Sequence, residues 1–404
     1  MANQNERETL LRVEHLCQYF GPTKAVDDVS FEIKKGEVFG LVGESGCGKT
    51  TTGRSIIKIY DITSGSIYFK GQRICAGTQS YKDEIKAIRT EMKQLKKSNA
   101  PDAAEKIARG EARILELKTE IEKAKFDHDH SDREYAKSLA EKTRKEYEPK
   151  LTAAKDNPEE LKKLQKAYKD QLHIDKHTKL ITQIQMIFQD PIASLNPRMT
   201  VKEIIAEGLV INGIKDQAYI DEKVYEILEL VGLVREHAGR YPHEFSGGQR
   251  QRIGIARAVI MHPELLIADE PISALDVSIQ AQVINLLNEL RDTLDLTILF
   301  IAHDLSVVKY FSDRIGVMYF GKMVELASSD ELFAHPLHPY TRSLLSAIPL
   351  PDPHSEKNRV RITYNSLAEH DYSVDKPSLR EILPGHFVYC NDVEEARYKK
   401  ELGL

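Results

Sequence analysis

Val38-Phe39-Gly40-Leu41-Val42-Gly43-Glu44-Ser45-Gly46-Cys47-Gly48-Lys49-Thr50 runs from a short apolar segment into the spacing G-x-x-x-x-G-K-[ST]. The apolar run predicts a strand, and Gly48 to Tyr60 predicts a helix opened by the glycines. A glycine loop between strand and helix is a P-loop. Its successive backbone N–H groups point inward at phosphate oxygens, and its glycines permit positive dihedrals and close approach. Lys49 then supplies a point charge for the β- and γ-phosphates of a nucleotide, and the Thr50 hydroxyl is placed to bind Mg2+. Gly43 to Thr51, including Glu44, Ser45, Gly46, Cys47, Gly48 and Thr51, is the predicted nucleotide-contacting stretch. Cys47 sits beside Lys49 and a helix start, which favours the thiolate. Its alternative reading is an inert small filler.

Outward from this loop, residues 11–42 alternate apolar and polar positions. Leu11-Arg12-Val13, Val29 to Ile33 and Val38 to Val42 read as short strands, with a tight turn at Lys35-Gly36. A strand-like Ser66-Ile67-Tyr68-Phe69 follows the predicted helix. From about Cys75 to Leu180 the composition turns to Lys, Glu, Ala and Asp. Ile85, Ile88, Met92 and Leu95 fall at a/d heptad spacing. Ile107, Ile114, Leu117 and Ile121 resume it, as do Leu161, Leu164 and Tyr168, with Pro101, Pro149 and Pro158 interrupting. This predicts an inserted helical hairpin or short coiled coil, the alternative being a solvated, partly helical charged segment. Globular patterning returns at Ile184 to Phe188. Val201 to about Gly247 reads as helical, Leu265–Ala268 and Ile298–Ile301 as buried strands, and Ser278 to Arg291 as a helix between them. That alternation implies a parallel α/β sheet. The chain from Asp330 onward is richer in Pro and His and reads as a C-terminal appendage.

A second chemical group lies far downstream. Phe245-Ser246-Gly247-Gly248-Gln249 precedes the apolar run Leu265-Leu266-Ile267-Ala268, which ends in Asp269-Glu270. A strand ending beside the P-loop puts Asp269 behind the magnesium. Glu270 can then reach an attacking water as general base. His303 follows the next apolar strand, where it could hold the γ-phosphate and water in line. Gln189, after Met186-Ile187-Phe188, offers an amide that can touch both Mg2+ and water.

Taken together these stretches resemble an ABC-type ATPase. The Walker A loop is Gly43–Thr50, the Q-loop residue Gln189, and the signature Ser246-Gly247-Gly248-Gln249. Walker B ends at Asp269-Glu270, the D-loop is Ser273-Ala274-Leu275-Asp276, and the H-loop residue is His303. Phe20 matches the adenine-stacking position, with Tyr19 as the alternative. The resemblance implies an α/β P-loop NTPase: a RecA-like core, an N-terminal antiparallel β subdomain and a helical subdomain at about 192–262. It places the ATPase domain at 1–74 and 181–330, the charged insertion at 75–180 and a C-terminal extension at 331–404. It also implies a head-to-tail dimer, with ATP held between the P-loop of one domain and Ser246, Gly247, Gly248 and Gln249 of the other. Asp276 and Thr51 belong to the same nucleotide-contacting set, Thr50, Gln189 and Asp269 to the Mg2+ site, and Glu270, His303 and Gln189 to catalysis.

Three stretches narrow the resemblance to ATPases of oligopeptide/dipeptide importers: Phe188 to Val201, Ala268 to Gln280, and His335 to Leu345. Gln249 to Arg257 is more similar to the second ATPase of such systems. Nickel importers share these features, and a non-transport ABC ATPase acting on DNA is the rival class. In that rival the coiled coil follows the Q-loop, whereas here the insertion precedes Gln189. Expected partners are a second ABC ATPase subunit, two transmembrane permeases and, indirectly, an extracellular substrate-binding protein. The expected location is the cytoplasmic face of a membrane. Several members of the family it resembles carry clustered cysteines for an iron–sulfur cluster in the C-terminal region, where this chain has only Cys390, so no such cluster is expected.

Bulk composition is consistent with this reading. A net charge of −5 from 57 basic and 62 acidic residues argues against a protein that coats nucleic acid. Aromatics at 7% without Trp argue against a base-stacking platform. Four scattered cysteines point to a reducing compartment. The polar start shows no signal peptide, and no apolar run approaches the roughly 18 residues a bilayer needs. A membrane role therefore comes through a partner.

Overall fold

In the computed structural model, which describes residues 7–98, 103–154, 157–348 and 361–404, the chain opens with an antiparallel pair, β1 (Thr9–Phe20) and β2 (Thr23–Lys34). β3 (Val38–Val42) leaves that pair for a second sheet, and α1 (Lys49–Ile56) follows the glycine loop. β4 (Ser64–Phe69) and β5 (Gln72–Ala76) return to the first sheet, whose order is β2-β1-β4-β5.

Next come the helices of the charged segment, α2 (Gln79–Ser98), α3 (Ala103–Ala153) and α4 (Pro158–His177). The expected helical hairpin is thus two hairpins that share α3, a helix of 51 residues. The predicted a/d positions Ile85, Ile88, Met92, Ile107, Ile114, Leu117, Ile121, Leu161, Leu164 and Tyr168 are all buried or half-buried between mostly exposed neighbours. Gly110 lets α2 close on α3, since a Cβ there would meet Ile88 and Met92 at 3.1 Å. Two of the expected interruptions fall differently. Pro149 lies inside α3, close enough to its end that the lost N–H weakens only the final turns. Pro158 opens α4, where its missing N–H leaves no helical bond unmade. Pro101 lies outside the described residues.

The middle of α3 lies along β5, the free edge of the first sheet. Arg73 Nε donates to Asp127 at 2.8 Å and Gln72 donates to the Ser131 carbonyl at 2.7 Å. Lys70 reaches Tyr135 at 3.0 Å and Glu264 at 2.6 Å. The helix covers an edge that would otherwise present unpaired backbone groups.

The second sheet adds β6 (Ile184–Ile187), β7 (Leu265–Asp269), β8 (Thr297–Ala302), β9 (Arg314–Tyr319), β10 (Lys322–Ser328), β11 (Ser378–Leu383) and β12 (His386–Cys390). Its order is β11-β12-β10-β9-β3-β8-β7-β6, parallel from β9 to β6 and antiparallel beyond β9. The parallel strands read as unbroken apolar runs because both faces are covered. Phe39, Leu41, Leu265, Ile267, Leu299 and Ile301 pack toward the first sheet and α1. The alternate residues Val38, Val42, Leu266, Ala268, Ile298, Phe300 and Ala302 pack toward the helices.

Those helices are α5 (Val201–Ile211), α6 (Gln217–Leu230), α7 (Gly247–Val259), α8 (Val277–Leu294) and α9 (Leu305–Phe311). The region from Val201 to about Gly247 is helical in separate pieces. The chain breaks at Gly213, with φ 87°, and at Gly232, with φ 74°, and Asp216 recaps α6 through the Ala218 and Tyr219 N–H groups. Beyond β10 lie α10 (Ser329–Ala334), α11 (Pro339–Ser346) and α12 (Asp392–Glu401). This region is no appendage, because β12 pairs with β10 and extends the main sheet. Among the described residues no helix is long and apolar enough to cross a membrane.

Candidate active site

Parallel pairing lines up strand ends, and here it does so in close register. Val42 of β3 lies opposite Ala302 of β8, Asp269 of β7 opposite Ile301, and Ile187 of β6 opposite Ala268. The residues just beyond these ends are the glycine loop, His303, Glu270 and Gln189. Four segments remote in sequence therefore open on the same carboxyl edge of the sheet, where α/β folds bind ligands.

The loop has the geometry expected of a phosphate cradle. Gly43, Gly46 and Gly48 have φ of 149°, 82° and 107°. A Cβ on Gly48 would lie 2.3 Å from the Ala25 carbonyl, so only glycine lets the loop turn there. Glu44, Ser45 and Gly46 are exposed, Thr50 and Thr51 half-buried, and Lys49 buried. The Lys49 ammonium donates to the Gly43 and Glu44 carbonyls at 2.8 and 3.0 Å and lies 4.0 Å from Glu270 Oε1. Of the two readings of Cys47, its surroundings favour the inert filler. It is 5% exposed, and burial pushes its thiol pKa up against the opposing pull of Lys49.

The acidic pair is divided between two jobs. Fully buried Asp269 accepts from the Thr50 hydroxyl at 2.8 Å on Oδ1, while its Oδ2 is buried with no partner. Burial, helped by Glu270, holds its carboxyl above the usual range, although Thr50, Arg54 and Lys49 pull the other way. Glu270 stands in the left-handed region at φ 45°, a strain that aims its side chain out of the strand line. Its Oε2 accepts from Gln189 Nε2 at 2.9 Å and lies 3.4 Å from His303 Nδ1.

These residues fit a triphosphate with a divalent cation. The unpartnered Asp269 Oδ2 beside a hydroxyl is an oxygen-rich corner of the kind Mg2+ takes, through water or directly. The glycine cradle and Lys49 suit phosphate oxygens.

Other predicted residues lie apart from this group. Ser246 caps α7, accepting from the Gln249 N–H while the Gln249 side chain reaches back to the Ser246 N–H. Ser246 and Gly247 are exposed, Gly248 and Gln249 half-buried. Asp276 is an exposed cap residue of α8 without a side-chain cap bond. Among the described residues no hydrogen bond or ion pair joins either segment to the glycine loop. Phe20 is 45% exposed, its ring edge-on to Tyr60 at 5.2 Å. The alternative, Tyr19, has its hydroxyl tied to Asp27 at 2.6 Å.

One contact escaped the sequence reading. The Glu44 N–H of the glycine loop donates to the Tyr340 hydroxyl at 3.0 Å, across 296 positions. In sequence, Tyr340 stands out only as part of the stretch His335 to Leu345. No local pattern marks it as a neighbour of the loop.

The ABC transporter family matches residues 26–152 and 150–273. The oligopeptide/dipeptide transporter C-terminal region matches residues 324–374. The chain is 48% identical to the oligopeptide transport ATP-binding protein OppF of Bacillus subtilis (strain 168), covering 96% of this chain and 98% of that one. It is 44% identical to the dipeptide transport ATP-binding protein DppF of Lactococcus lactis subsp. cremoris (strain MG1363), covering 95% of this chain and 93% of that one. Among solved structures, CbiO1 from Clostridium perfringens, part of an ABC transporter complex, superposes with a TM-score of 0.51 at 21% identity, covering 81% of this chain and 91% of that one. That likeness speaks to the fold.

Proposed function

Because the chain belongs to the ABC transporter family of ATP-binding subunits, we propose that it hydrolyses ATP to energise the import of oligopeptides or dipeptides. The observation that carries this reading is the meeting of four strand ends. Lys49 and the loop, the Thr50–Asp269 pair, the Gln189–Glu270 pair and His303 share one edge of the sheet.

The loop amides and Lys49 bind the β- and γ-phosphates. Thr50, Gln189 and Asp269 would hold Mg2+, which would draw charge from the phosphate oxygens. Glu270 Oε2 accepts a proton from the attacking water. For that, the Gln189 amide that now occupies the same oxygen moves aside. His303, within 3.4 Å of Glu270, holds the water and γ-phosphate in line. Phe20 offers an exposed ring to the adenine.

Ser246, Gly247, Gly248 and Gln249 open α7, and a helix N-terminus favours an anion. The exposure of Ser246 and Gly247 suits a γ-phosphate carried by a second ATPase subunit, with Asp276 at the same seam. ATP then closes the pair, and loss of phosphate opens it. The motion passes to two permeases at the cytoplasmic face of the membrane, docked near Gln189 and the helices at about 192–262. An extracellular binding protein delivers the peptide.

The test is reconstitution in proteoliposomes with the companion ATPase, permeases and binding protein. Peptide uptake should require ATP and vanish with Lys49→Ala. Uptake that survives that change, or ATP hydrolysis that moves no peptide, would sink the reading.

A further inference from the structure

We propose that Tyr340 is a positioning residue for nucleotide binding, its hydroxyl pinning the entry leg of the phosphate loop through the Glu44 N–H. This rests on the nucleotide-site reading above and extends it to the C-terminal region.

Tyr340 is placed by a chain of buried contacts. Glu325 of β10 is fully buried and accepts from the Leu337 N–H at 2.8 Å and the His338 N–H at 3.1 Å. The Nε2 of fully buried His386, on β12, lies 2.8 Å from the same carboxylate. His338 caps α11, its Nδ1 accepting from the Tyr340 N–H at 3.1 Å. Burial pushes the His338 pKa down to about 3, so the ring stays neutral and keeps that acceptor. Pro339 then fills the first helical position, where its missing N–H costs nothing.

The Tyr340 ring is held as firmly as its backbone. It lies 4.4 Å from the Tyr319 ring and 5.5 Å from the Tyr364 ring. Only 2% of the residue is exposed. Burial also raises its pKa, so the hydroxyl stays neutral beside the loop.

The geometry assigns each residue of His338-Pro339-Tyr340 a part: a cap, a helix start and a latch. The latch matters because the cradle works by presenting N–H groups already aimed inward. Glu44 follows Gly43, whose φ of 149° gives the loop a pivot just ahead of the latch. Pinning the next amide removes freedom that the phosphates would otherwise have to freeze out on binding. Tyr340 touches no substrate atom in this account. Its action is through Glu44.

The test compares Tyr340→Phe with Tyr364→Phe in the full chain. Tyr340→Phe deletes the hydroxyl and keeps the ring, whereas Tyr364→Phe alters a neighbour that packs on the ring without reaching the loop. The affinity for a fluorescent MgATP analogue is measured first, with Lys49→Ala as reference. KM and kcat are then measured in the assembled transporter. Tyr340→Phe should weaken nucleotide binding and raise KM roughly three- to tenfold, the size of one hydrogen bond, with kcat within about twofold of the parent. Tyr364→Phe should leave both unchanged. Unaltered affinity in Tyr340→Phe, or equal weakening in both variants, overturns the proposal while the nucleotide site stands. If the parent chain binds no nucleotide, or binds it as well with Lys49→Ala, the nucleotide site falls and this proposal with it.

Discussion

Gln189 donates a 2.9 Å hydrogen bond to Glu270, tying the end of β6 to the end of β7 across 81 positions of sequence. The accepting oxygen is also the one that faces His303 at 3.4 Å. The other carboxylate oxygen lies 4.0 Å from the Lys49 ammonium. The candidate base is thus engaged on both oxygens, one by the Gln189 amide and one by the Lys49 ammonium. On the proposed reading, a bound nucleotide would compete for each of these groups and so link occupancy of the loop to release of the base.

Glu270→Gln tests that assignment. The amide keeps the size of the side chain and an oxygen for Gln189, but it cannot take a proton. ATP hydrolysis should fall about 10²- to 10⁴-fold while nucleotide binding persists. Phosphate release and analogue binding check the two halves. Hydrolysis at the parent rate would remove Glu270 from the role of base.

Asp269→Asn should separate stability from function. Burial holds the Asp269 carboxyl above its ordinary range, so its folded pKa exceeds its unfolded one. Its favourable contribution is complete below the unfolded pKa of about 3.9 and is lost as pH rises through the folded value. The nucleotide-free variant should therefore gain on the parent in melting temperature as pH rises, with the gap closing on acidification toward the unfolded pKa. MgATP affinity should fall roughly 10- to 100-fold. Melting curves across pH, with and without MgATP, decide both points. A gap that widens on acidification would contradict the sign.

Arg73→Ala should loosen the charged helical segment from the first sheet. Arg73 is nearly buried and lies 2.6 Å from Asp127 through a terminal nitrogen and 2.8 Å through Nε. The change should cost about 1–3 kcal/mol in urea unfolding. Hydrogen exchange should rise around Asp127 and leave β7 and β8 unaffected. No change in the unfolding midpoint would mean that this pair does not anchor α3.

Cys47 should resist thiol reagents in the native chain. It is 5% exposed with its pKa raised by burial, whereas Cys17 is half-buried. At neutral pH it should be modified at least about tenfold more slowly than Cys17, as peptide mass spectrometry would read. Cys47→Ala should keep most of the ATPase rate. Fast labelling of Cys47 would restore the reactive thiolate that its position in the sequence suggests.

The features legible in the sequence were those written by local chemistry. Gly43, Gly48, Lys49 and Thr50 sit at the spacing of a phosphate loop. Leu265 to Ala268 lack any polar residue because both faces of their strand are covered. The a/d positions of α2, α3 and α4 repeat because one side of each helix meets another helix. Such patterns survive in one dimension because neighbours along the chain share a single environment.

Tertiary structure decided what depends on residues that are strangers in sequence. Cys47 reads as reactive beside Lys49, yet the packing that buries it pushes its thiol pKa up. The region after Asp330 reads as an addition, yet β12 pairs with β10 and its α11 carries Tyr340 to Glu44. Gln189, Glu270 and His303 have no spacing that announces one site. They meet because parallel strands in register deliver their ends to one edge. The sequence specified the chemistry available to this protein, and the sheet, by fixing which strand ends lie side by side, decided which residues could act together.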